Sequence, residues 1–210
     1  MRHTIACFKE AIEWNDVASV CIDKFPWYKE GLKQVTNVKI AATDAALLLK
    51  VVAMDCHSSA EVLALNGSVH KDSCFEFFFT PMAELSTSYI HIEINCIGTV
   101  YMAYKNSQEE KRLKHRQLSS IQIETSLPKG VVKKTSAVDE LWTLDIKIPF
   151  DFIEAMFGEP ISRSRWFGNF YRCGGILDPQ YASWNDIITV APDFHQPLQF
   201  GELTFSYFEE

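Results

Sequence analysis

Apolar and polar residues alternate with period two along most of the chain. In Ile90-His91-Ile92-Glu93-Ile94-Asn95-Cys96 the isoleucines and Cys96 fall on one side, and His91, Glu93 and Asn95 on the other. That is the pattern of a strand with two different faces. Leu141 to Ile148 repeats it, with Trp142, Leu144, Ile146 and Ile148 inward, and so does Ile121-Gln122-Ile123-Glu124. Cys74 to Phe79 is largely apolar on both sides, as a central strand should be. Residues 37–42 and 45–53 predict a hairpin around Thr43-Asp44. Segments near 100–104, 166–173 and 201–207 bring the expected strands to roughly ten or more.

Helical signal is sparse. Residues 151–157 follow Pro149 and stop at Gly158, which predicts about two turns. Ser107 and Glu110 have the spacing of a capping box before the basic stretch 109–118, which reads as a solvated helix or loop. Many short strands with one or two short helices predict an all-β, antiparallel β-sandwich. No internal repeat or Pro/Ser linker divides the chain, so residues 1–210 read as a single domain.

Composition narrows the function classes. Twenty basic residues against 27 acidic ones give a net charge of -7. A general nucleic-acid binder needs the opposite balance to displace counterions. The longest apolar run, Ala45 to Met54, is interrupted by Lys50 and falls short of a membrane span. No apolar stretch of a signal peptide follows Met1-Arg2-His3-Thr4. The given chain therefore reads as cytoplasmic, or as periplasmic or secreted if a leader has been removed. Six cysteines without a CxxC pair suit packed thiols. Aromatic residues make up 13%, enough for both a core and a flat, amphipathic ligand surface.

Three groups of residues carry candidate chemistry. Glu76 shares a strand face with Cys74 and Phe78, while Glu93 and Asn95 share the polar face of 90–96. Glu76 is either a strand-end carboxylate with a local partner or an acceptor for a polar ligand. If the two strands are neighbours, Glu76, Glu93 and Asn95 form a platform suited to sugar hydroxyls. Two carboxyls also fit a glycoside hydrolase. Tyr181-Ala182-Ser183-Trp184-Asn185 follows strong turn signals, so Trp184 is either a plug over the core or an exposed stacking surface. Asp193 and His195 sit in the rigid stretch from Pro192 to Pro197. No histidine spacing suits zinc. The oxygen-rich loops at Asp55, Asp72, Asp178 and Asp193 suit a structural calcium ion. There is no P-loop, GxGxxG or GxSxG motif.

Six segments, in order, resemble family 9 carbohydrate-binding modules. They are Asp72-Ser73-Cys74-x-Glu76-Phe77-Phe78, Glu93-x-Asn95-Cys96-x-Gly98-Thr99, Ile148-Pro149, Asn169 to Gly174, Ser183-Trp184-Asn185, and Pro192-Asp193-Phe194-His195-x-Pro197-x-x-Phe200-Gly201-Glu202. The likeness is to the stand-alone group of polysaccharide-degrading bacteria and spans about Val69 to Phe205. It implies an immunoglobulin-like or jelly-roll sandwich, often with structural calcium. It also implies a mono- or oligosaccharide partner held between two tryptophans over a polar floor. By motif position Trp184 resembles the second clamp residue and Glu76 and Asn95 floor residues. Tyr181 falls at another polar contact, and Glu93 at a floor position often filled by a different residue. His70 stands where the first clamp tryptophan is expected. Non-catalytic sugar binding linked to polysaccharide breakdown is the leading expectation. A Glu76/Glu93 hydrolase and a scaffold that has lost its ligand are the alternatives.

Overall fold

The computed structural model describes residues 1–9, 11–136, 138 and 140–207. Fifteen strands follow in chain order: β1 (Arg2–Cys7), β2 (Ser19–Ile22), β3 (Thr36–Ala42), β4 (Ala46–Asp55), β5 (Ser59–Ala60), β6 (Ser73–Thr80), β7 (Tyr89–Asn95) and β8 (Val100–Lys105). Then come β9 (Glu110–Arg112), β10 (Gln122–Thr125), β11 (Val132–Lys133), β12 (Glu140–Pro149), β13 (Arg165–Gly174), β14 (Tyr181–Ser183) and β15 (Gly201–Tyr207). Helix α1 (Phe150–Phe157) closes on Gly158, whose φ of 88° is the left-handed helix end that glycine favours.

One long sheet runs β10-β12-β4-β3-β1-β15-β13-β6-β7-β8-β9, and it curls on itself. Both halves contribute to the main core: Ile40, Leu49, Trp142 and Leu144 from one side meet Phe75, Phe77, Ile92 and Phe170 from the other. The expected sandwich is thus formed, with one correction. The sheet is mixed, because β1 runs parallel to both β15 and β3. Alternation reveals which residues face inward but is the same for either direction of pairing. The N-terminal strand lies beside the C-terminal one, Arg2 opposite Glu202 and Cys7 opposite Tyr207.

The predicted hairpin β3–β4 forms with Ala42 opposite Leu47, and α1 lies where expected. The helix or loop expected over 109–118 is instead strand β9 followed by a 3-10 turn over His115–Ser120. Asn106 explains the difference. Its side-chain oxygen accepts from the amides of Gln108 and Glu109, at 2.8 and 2.9 Å. This bends the chain so that Glu110–Arg112 pairs back onto β8. Cys7, Cys74, Cys96 and Cys173 are buried thiols, in line with the packed-thiol reading. No helix among the described residues is long and apolar enough to cross a membrane.

The half formed by β13, β6, β7 and β8 has two buried faces. Phe75, Phe77 and Phe79 on β6 and Ile90, Ile92 and Ile94 on β7 enter the main core. The opposite face carries Cys74, Phe78, Tyr89, Tyr171 and Cys173, roofed by Val69, Ile187, Phe194 and Phe200. This second face holds the functional candidates.

Candidate functional site

Register places two carboxyls side by side. Antiparallel pairing of β6 with β7 sets Glu76 directly opposite Glu93, and pairing with β13 sets Tyr171 on the other side of Glu76. Opposed residues on one face of an antiparallel pair have Cβ atoms about 4.5–5.5 Å apart. Glu76 is 2% and Glu93 6% exposed, so neither charge is well hydrated. Burial and the neighbouring Glu93 raise the pKa of Glu76 well above the usual carboxylate value. The Cys173 thiol donates to its Oε1 at 3.1 Å. Burial alone would raise Glu93 as well, but His70 and His91 outweigh it and hold Glu93 below its ordinary value. His91 Nδ1 lies 3.3 Å from Glu93 Oε1, and His70 Nδ1 lies 3.6 Å from Oε2. The second distance is that of an ion pair and too long for a hydrogen bond. Glu93 Oε2 and His91 Nε2 are therefore buried polar atoms without hydrogen-bond partners.

Above the carboxyls lies a cavity of about 260 Å³. That is just below the range of about 300–1,000 Å³ for drug-sized ligands, a size for one small ring. Its lining includes His70, Glu76, Phe78, Glu93, Tyr181 and His195. The stretch Pro192-Asp193-Phe194 forms the opposite wall. Phe194 is fixed by stacking on Tyr171 with ring centres 4.2 Å apart. Tyr89 Oη lies 2.7 Å from His195 Nδ1. Partial desolvation, with Lys105 and His91 nearby, lowers the pKa of His195. Asp193 turns inward on its own loop, accepting from the His195 amide at 2.9 Å and from Gln196 Nε2 at 2.7 Å.

Four of the six residues expected from sequence, His70, Glu76, Glu93 and Tyr181, therefore line one cavity. Two do not. Trp184 is 4% exposed and belongs to the main core, its ring 5.6 Å from Phe170 and 6.4 Å from His3. Its amide donates to the Phe170 carbonyl, which draws the residue under the sheet rather than out on the loop. A Cβ on Gly201 would sit 2.7 Å from the indole, so glycine there makes the space the ring fills. Asn95 is fully buried and fully bonded. Its Nδ2 donates to Asp72 Oδ2 at 2.8 Å and to the Val62 carbonyl at 2.9 Å, and its Oδ1 accepts from the Thr99 amide at 2.8 Å. Those bonds tie the 95–99 turn to the segment that carries His70.

Phe78, Cys173, Phe194 and His195 line the cavity without having been expected there as ligand contacts. A signal existed for Phe78, which shares the face of Glu76, and for the rigid stretch from Pro192 to Pro197. What covers that face was not legible.

The four aspartates considered for calcium do not assemble a site. Asp55 pairs with Arg172 and accepts from Trp142. Asp72 accepts from the amides of Glu61 and Val62. Asp178 accepts from Gln180 and Tyr28. Among the described residues no three His, Cys, Asp or Glu side chains converge for a metal. All four aspartates are already bonded to protein donors.

Comparison with known proteins agrees with this architecture. A structure of a protein named as carbohydrate-binding from Bacteroides uniformis superposes with a TM-score of 0.85 at 24% identity, over 98% of this chain and 99% of that one. A family 9 carbohydrate-binding module from Caldicellulosiruptor kristjanssonii, solved with glucose, gives 0.64 at 13% identity over 100% and 98% of the two chains. The same kind of module with cellotriose gives 0.61 at 13% identity, over 100% and 96%. No protein of curated function matches the chain. The model of carbohydrate-binding family 9 matches residues 6–205. With nearly the whole length accounted for, the chain belongs to carbohydrate-binding family 9.

Proposed function

We propose that this chain is a non-catalytic sugar-binding module and that one sugar ring sits on the Glu76–Glu93 pair. The observation that carries the reading is the placement of two opposed, buried carboxyls at the base of a ring-sized cavity. Burial and Glu93 favour the protonated form of Glu76, which has a proton to donate, and the two histidines favour the ionised form of Glu93, which accepts. A pair of neighbouring sugar hydroxyls offers the matching acceptor and donor. Phe78, Tyr181 and Phe194 supply apolar walls for the CH faces of the ring. The glucose and cellotriose held by the two Caldicellulosiruptor modules support a sugar as ligand. In the setting that the family suggests, such binding would serve polysaccharide breakdown.

Hydrolysis by the same two residues is disfavoured. A glycosidase pair flanks the scissile bond from both sides. Glu76 and Glu93 project from adjacent strands in the same direction, so both meet a ligand from below. The test is calorimetric titration with gluco-, xylo- and manno-configured sugars, with product chromatography alongside. We expect binding by at least one series, no cleavage, and at least a tenfold loss in Glu93→Gln without loss of fold. Silence on every sugar would leave only the scaffold reading, and turnover abolished by Glu76→Gln would make the protein an enzyme.

A further inference from the structure

A second hollow, of about 450 Å³, adjoins the carboxyl-floored cavity. Tyr181 and Pro192 line both. The rest of the wall is mostly apolar, with Pro26, Trp27, Pro179, Val190 and Ala191, while Tyr28 and Lys29 bring polar ends. It is built where three loops meet. The segment carrying Pro26 and Trp27 is anchored by the two backbone hydrogen bonds between Lys24 and Ser183, at 3.1 and 2.8 Å. Trp27 Nε1 donates to the Thr189 carbonyl at 3.0 Å, and the ring lies 5.9 Å from Phe194. The indole is thus held in place, its single polar atom is already bonded, and what it offers a ligand is apolar surface. Val190 is fully exposed beside it, and Ile188 is 85% exposed on the same loop. Single exposed apolar residues need no explanation, but a positioned tryptophan, three prolines and a bare valine around one hollow are a built surface.

Resting on the sugar-binding reading above, we propose that this hollow is a second subsite. When the terminal unit of an oligosaccharide occupies the carboxyl-floored cavity, the next unit packs its CH face against Trp27. The continuity of the two hollows through Tyr181 and Pro192 favours one chain crossing both over two unrelated ligands. A wall mostly of apolar side chains, with Tyr28 and Lys29 as its added polar groups, fits a unit most of whose hydroxyls stay in water. Trp27 then takes the stacking role that the sequence suggested for Trp184.

Calorimetry on three proteins, wild type, Trp27→Ala and Val190→Arg, decides it. The probes are glucose, xylose and mannose, each with its β-1,4-linked trisaccharide. For the series that binds, the trisaccharide should bind wild type about tenfold more tightly than the monosaccharide, about 1.4 kcal/mol. Both variants should lose that gain and keep the monosaccharide affinity within about twofold. Val190 is fully exposed, so Val190→Arg decides the matter alone if Trp27→Ala fails to fold. Equal affinity of wild type for both lengths, or a gain that survives Val190→Arg, overturns the subsite while leaving the first cavity intact. No binding by any probe overturns the sugar-binding reading itself, and the subsite with it.

Discussion

Glu76 and Glu93 stand directly opposite each other on β6 and β7, yet their environments drive their protons apart. Glu76 has a thiol and Glu93 for company, whereas Glu93 has two imidazoles within 3.6 Å. Two buried carboxylates at this spacing repel, and the histidines decide which of them stays ionised.

This division predicts a pH dependence of stability. The pKa of Glu76 is raised on folding, so the fold favours its protonated form. The associated stability is present in acid and lost as pH rises above the unfolded value of about 4.3. Glu76→Gln mimics the protonated acid. Its melting temperature should match wild type near pH 4 and exceed it by about 2–4 °C at pH 8, the equivalent of about 1 kcal/mol at this size. Parallel melting curves across that range would show that Glu76 ionises freely.

Trp184→Ala tests the core assignment of the indole. Truncating a buried tryptophan typically costs about 3–5 kcal/mol. Melting should fall by roughly 10 °C or more, while sugar affinity, measured well below the new midpoint, stays within about threefold. A mutant with wild-type melting and lost binding would return Trp184 to the ligand site.

Asn95→Ala should also act through stability. It leaves the buried oxygens of Asp72 and Val62 and the Thr99 amide without the asparagine, at about 1–3 kcal/mol for an unsatisfied group. Guanidinium unfolding gives the value. A midpoint identical to wild type would mean that the 95–99 turn holds without it.

The cavity should select by ligand charge. Two carboxyls and Asp193 line it, with no lysine or arginine among its lining residues. Glucuronate should therefore bind at least tenfold more weakly than glucose in the same buffer, and the gap should narrow at high salt. Competition calorimetry between the two measures the ratio, and equal affinities would rule out Glu93 as an ionised contact.

Much of this protein was settled by local pattern. Alternation in Ile90 to Cys96 and Leu141 to Ile148 marks the strands and their core faces, because successive side chains of a strand point to opposite sides whatever it pairs with. Pro149 and Gly158 bracket α1 for equally local reasons. The outward face shared by Cys74, Glu76 and Phe78 was legible in the same way, and with it half of the site. Tertiary structure alone decided the rest. It set Glu76 opposite Glu93, ran β1 parallel to β15 across nearly the whole chain length, and turned Trp184 under Gly201. It also bonded Asn95 completely and brought Trp27 to the edge of the cavity from a loop early in the chain. Register, direction of pairing and burial depend on which distant segment arrives alongside, and one segment's own period of two carries no record of that.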